Sequence, residues 1–109
     1  MPNIKIRLFP EPEREIDSAT FDGTFQEIGT PIDNPSRMLI FVNNSLVNVK
    51  ISWDGVDPAF TLLPGATVIF DEQSNSVPES EFVTVAGTQF YAKGVASTGS
   101  VFLSTFYAH

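Results

Sequence analysis

The sequence predicts an all-β chain, a single-domain β-sandwich of about eight or nine short strands. Three observations carry this. β-Branched and aromatic residues alternate with polar ones over short runs, while helix signals are almost absent. Gly, Pro, Asn and Asp interrupt the runs at roughly 8–12-residue intervals. Ten phenylalanines among 109 residues provide the apolar bulk for a thin two-sheet core. That length suits one domain, which buries roughly two-thirds of the surface its unfolded chain exposes. There is no cysteine, so disulfides and thiolate metal sites are excluded, and an intracellular site of folding is expected.

The elements follow in chain order. Asn3 to Phe9 reads as a strand with Ile4, Ile6 and Leu8 on one side and Lys5 and Arg7 on the other. Pro10 and Pro12 end it inside the acidic stretch Glu11 to Asp17, where missing donors and self-repelling carboxylates predict an extended, solvated segment. Ala19 to Ile28 is a weaker strand or arm, and Thr30 to Ser36 a turn. Residues 1–35 are thus expected to form a Pro- and acid-rich strand or arm, and residues 36–109 the sandwich body. Met38 to Val42 is a continuous apolar run, as in a strand buried on both faces. Asn43-Asn44-Ser45 has turn chemistry, and Val47, Val49, Ile51 and Trp53 then alternate with polar residues. Together these predict a hairpin. Asp54-Gly55 turns the chain, Phe60 to Leu63 is a short strand, and Pro64-Gly65 fits a type II turn before a strand over Ala66 to Asp71. Glu72 to Glu81 reads as a surface loop. Phe82 to Val85 and Gln89 to Lys93 are strands around the turn Ala86-Gly87-Thr88. After Thr98-Gly99-Ser100, the final strand Val101 to Tyr107 places Phe102, Ser104 and Phe106 on one face and Val101, Leu103, Thr105 and Tyr107 on the other. The spacing fits a jelly-roll or an immunoglobulin-like sandwich.

Thirteen acidic and six basic residues give a formal charge of −7. Lys5, Arg7, Arg14, Arg37, Lys50 and Lys93 form no run, which disfavours nucleic-acid binding. Acidity serves solubility and could steer the chain toward a basic partner. No apolar run reaches the ~20 residues of a membrane-spanning helix, and Met1 to Phe9 lacks the apolar segment of a signal peptide.

The residues offer little for catalysis. The single histidine is His109, a poor position for a base that needs fixed geometry. Asp54, Asp57 and Asp71 could pair for glycoside hydrolysis, but Asp54 and Asp57 sit in turn chemistry. Asp54-Gly55-Val56-Asp57 lacks the alternating oxygen ligands and final Glu of a calcium loop. Trp53 is expected in the core, the alternative being a sugar platform with Tyr91 or Tyr107. Asn43-Asn44-Ser45 matches a glycosylation acceptor without a secretory signal, and Gly65, Gly87, Gly94 and Gly99 read as turn residues. No cofactor, metal or catalytic residue is predicted.

Ser36-Arg37, Asn43, Val49 to Gly55, Leu63-Pro64-Gly65, Asp71, Gly87 to Gly94 and Thr98 to Ser104 occur in an order that resembles small virion structural proteins of tailed bacteriophages. The resemblance spans residues 36 to 107. It implies a jelly-roll-like capsid cement, or decoration, protein that assembles in the host cytoplasm. Such proteins clamp major capsid protein subunits as dimers or trimers on the virion. A neck, tail or fibre component is the alternative within the virion, and a carbohydrate-binding module the alternative outside it. For partner contacts the sequence offers Ile4, Ile6, Leu8 and Phe9, through strand addition to a neighbour or as an ordinary first strand, together with Phe106 and Tyr107.

Overall fold

Short runs of alternating residues become strands where one face can be buried and the backbone finds a neighbour to pair with. The computed structural model describes residues 8–71 and 84–108. Its strands are β1 (Leu8–Pro10), β2 (Arg14–Asp17), β3 (Gln26–Glu27), β4 (Ser36–Ser45), β5 (Val49–Ser52), β6 (Phe60–Leu62), β7 (Thr67–Asp71), β8 (Tyr91–Lys93) and β9 (Gly99–Ala108), with one 3-10 turn at Ser18–Thr20. They form two antiparallel sheets. The five-stranded sheet has the order β1-β9-β4-β7, and β2 also pairs with β9. The four-stranded sheet has the order β3-β8-β5-β6. The pairings nest: β5 with β6, β4 with β7, β3 with β8, and β1 and β2 with β9. Two further pairings, β4 with β9 and β5 with β8, join these nested pairs into sheets.

The sheets pack through the inward residues of their central strands. Leu39 and Phe41 of β4 and Val101 and Leu103 of β9 face Val49, Ile51, Leu62 and Ala92, all 1% exposed or less. Phe41 is the hub of the aromatic core. Its ring centroid lies 5.5 to 6.1 Å from those of Trp53, Phe60, Phe70 and Phe90. Most of these contacts are edge-on, the geometry that the ring quadrupole favours, each adding about 1 kcal/mol beyond simple burial. Trp53 is therefore part of the core. The inward and outward sets read from the final strand also hold in β9, where buried Val101, Leu103 and Thr105 alternate with half-buried Phe102, Ser104 and Phe106.

The expected hairpin between Met38–Val42 and Val47–Trp53 does not form. β4 and β5 lie in different sheets, because both edges of β4 are taken by β7 and β9. Asn43-Asn44-Ser45 is not the turn but the end of β4. The fully buried Asn43 amide donates from Nδ2 to the carbonyls of Val47 and Leu62, both at 2.9 Å. Its Oδ1 accepts from the Ser45 hydroxyl at 2.6 Å. This satisfies the backbone where the chain crosses between sheets, which a buried corner requires. Pro64-Gly65 forms the expected turn, with the Ala66 N–H donating to the Leu63 carbonyl at 3.0 Å and Gly65 at φ +76°.

The acidic segment is solvated on one side only: Glu13, Glu15 and Asp17 are exposed, while Glu11 and Arg14 are buried. Residues Arg14–Asp17 form β2 against β9, and Ile16, Phe21, Ile28 and Ile32 all enter the core. The weak strand expected over 19–28 shortens to β3. Of the expected strand Phe82 to Val85, Thr84 forms an isolated bridge to Ser36. Most of the strand Asn3 to Phe9, the loop Glu72 to Glu81, and His109 lie outside the described residues.

Candidate functional site: the outer face of the first sheet

A sandwich strand normally turns polar residues to solvent. The first sheet does so only in part, at Ser104, Thr67 and Asp71. Register places Ile40 beside Ser104 and Ile69, Val42 beside Phe102 and Thr67, and Met38 beside Phe106 and Asp71. Met38, Ile40, Val42, Phe102 and Phe106 are half-buried and Ile69 is 57% exposed. None of these six belongs to the core cluster or to the apolar residues packed on it. They form a contiguous apolar strip across β9, β4 and β7.

A bulge aims one end of this strip. The register of β4 against β9 shifts between Ser36 and Met38, so Arg37 is an extra residue. Ser36 points inward and is 1% exposed. Its hydroxyl donates to the carbonyls of Met38 at 2.9 Å and Phe106 at 3.2 Å, which fixes the kink. Acids border the strip. Glu15 and Asp17 share the outer face through their pairing with Phe102 and Ser100, and Glu13 accepts from the Ser104 hydroxyl at 3.3 Å. Asp71 stands at the β7 end. An apolar centre with a charged border is the anatomy of a protein–protein contact.

No family model, curated protein or solved structure matches this chain.

Of the contacts expected from sequence, Phe106 lies within the strip. Leu8 pairs with Ala108 and Phe9 with Tyr107 of the same chain. The Phe9 and Tyr107 rings are 5.8 Å apart and occupy the opposite side of the sheet from Phe106. Ile4 and Ile6 lie outside the described residues. Sequence reasoning missed Met38, Ile40, Val42, Ile69 and Phe102 as a surface. The available signal was the unbroken run Met38 to Val42, which has too many apolar residues for a one-sided strand.

Two polar clusters are structural. The Asp54 carboxylate accepts from the N–H groups of Val56 at 2.8 Å and Asp57 at 2.9 Å and from the Ser52 hydroxyl at 2.9 Å. These bonds hold it below the ordinary aspartate range. It closes the loop after β5, as its turn context predicted. The second cluster centres on Glu11 and Arg14, which are 8% and 6% exposed and bonded at 3.0 Å. Arg14 also donates to the carbonyls of Thr30 at 2.7 Å and Pro31 at 3.0 Å and to the Thr105 hydroxyl at 3.2 Å. Glu11 accepts from the backbone and side-chain N–H groups of Asn34 at 2.8 and 2.9 Å. Burial pushes the Glu11 carboxyl up, but the bonds from Asn34, Asp33 and Arg14 together outweigh it and hold the group below its ordinary value. Among the described residues no group of three or more His, Cys, Asp or Glu is placed to hold a metal ion.

Proposed function

We propose that this chain is a structural protein of a tailed-phage virion, a cement protein that binds and stabilises the capsid by contacting the major capsid protein. The apolar, acid-bordered outer face of the first sheet carries the binding part of this reading. Left in water, such a strip forgoes the burial that a partner provides, about 25 cal/mol for each Å² covered. Its border favours a partner with basic residues around an apolar patch, since two copies of this face stacked together bring acid against acid. Contacts between copies in a dimer or trimer then use other surfaces. The virion setting rests on the order of motifs over residues 36 to 107.

The nested pairing supports a jelly roll. Counting β1 and β2 as one interrupted strand, the chain is a long hairpin of eight strands folded over on itself, which gives the two sheet orders described. The Trp53 ring is engaged with Phe41, Phe60, Phe70 and Phe90, which removes it from the sugar platform a carbohydrate-binding module needs.

The test places charge in the strip. Ile40→Asp together with Phe102→Asp should leave a folded β protein by circular dichroism but abolish decoration of capsids lacking the protein. Attachment of this variant at wild-type occupancy overturns the reading. Stained-gel copy number on purified particles separates cement, present in many copies, from a neck, tail or fibre component, present in few. Removing residues 1–7 tests whether the arm adds to attachment. Truncation should stop there, because deleting Glu11 leaves the buried Arg14 without its counter-charge.

A further inference from the structure

The second sheet carries a different surface on its outer side. Register sets Lys93 of β8 directly beside Lys50 of β5, and Lys50 beside Thr61 of β6. Like charges on directly paired residues repel and cost stability, and this chain has only six basic residues against thirteen acidic ones. Neighbouring groups hold both ammonium groups in place. Lys50 Nζ donates to the Thr61 hydroxyl at 3.2 Å, and Lys93 Nζ sits 4.6 Å from the centre of the Phe25 ring. Both lysines line a groove of about 620 Å3, a size typical of ligand sites. None of the described lining residues is acidic, and aliphatic side chains stand along it, including Leu46, Pro64 and Val95. Leu46 is 77% and Val95 63% exposed.

We propose that this groove binds an acidic peptide segment in which carboxylates alternate with aliphatic side chains. The paired ammonium groups take the carboxylates and relieve their own repulsion. Leu46, Pro64 and Val95 take the aliphatic groups, which a bare phosphate leaves uncovered. A sugar acid fits less well, because the Phe25 face beside Lys93 is already covered by that ammonium group. The groove lies on the opposite sheet from the apolar strip, and the inference does not depend on a role in the capsid.

The experiment uses the full-length protein free in solution. A capped pentapeptide alternating leucine and glutamate is titrated while amide and methyl shifts are followed by NMR. Shifts at Lys50, Lys93, Leu46 and Val95, weakening as salt rises, are expected. The double variant Lys50→Gln and Lys93→Gln should fold and bind at least about tenfold more weakly. An unchanged affinity in that variant overturns the proposal, as does wild-type protein that shows no shifts. So does displacement of the peptide by an equal concentration of inorganic phosphate, or tighter binding of glucuronate, since the groove would then recognise a different class of ligand.

Discussion

Arg14 shows what one buried cation asks of its surroundings. Its guanidinium reaches Glu11, two carbonyls of the loop at 30–31 and a hydroxyl of β9, and so ties the start of β2 to both sides of that edge. Removing one member of a buried ion pair leaves the other charge stranded, so Arg14→Ala should lower stability by about 3 kcal/mol in urea unfolding. Glu11 also makes stability depend on pH. Its carboxyl titrates lower in the fold than its ordinary value of 4.5. Its contribution is therefore complete above that pH and is lost as pH falls through the lower folded value. Urea midpoints measured down a pH series should hold steady until about 4.5 and then drop, and Glu11→Gln should flatten much of that drop. Sequence legibility divides along the same line. Asp54 was readable because its partners, Ser52, Val56 and Asp57, are close in the chain. Glu11 and Arg14 were read as solvated because Asn34, Thr30 and Thr105 approach them only after folding.

At the scale of the strand, alternation indicates which residues face inward but not which strand lies alongside. β5 and β9 were legible from period-two patterning over Val47–Trp53 and Val101–Tyr107, although β9 also takes in Gly99 and Ser100, which read as a turn. The partner of β4 was not, because a hairpin and a sheet crossing both bury Leu39, Phe41, Val49 and Ile51. The side chain that permits the crossing, Asn43, has the same composition signal as a turn residue. β4 and β9 also demand a glycine where they begin to pair. Gly99 pairs with Ser45 at φ +93°, and a Cβ there would collide with the Asn44 carbonyl oxygen. Gly65 has a similar angle of +76° but open space around it. Gly99→Ala should therefore cost about 3 kcal/mol, from backbone strain plus displacement of the pairing, and Gly65→Ala only about 1 kcal/mol from strain. Equal losses in urea unfolding would show that the collision at Gly99 is relieved without cost.

Across the whole molecule, the two outer faces differ in character. The first presents an apolar strip bordered by acids and the second a groove with paired lysines. In the candidate site, Phe106 was singled out in the sequence from its place on the final strand, and it lies beside Met38. The rest of the strip became visible only when β4, β9 and β7 were set side by side. The order of those strands also bears on how the polypeptide comes off the ribosome. β9 is the last strand along the chain, yet β1, β2 and β4 all depend on it for hydrogen bonds. A nascent chain that has emerged only as far as β8 holds three strands without the neighbour that joins them, and their unpaired edges and greasy side chains are open to misassociation. The first sheet can close only after β9 has left the ribosome, so a chain cut short before Gly99 keeps those edges open.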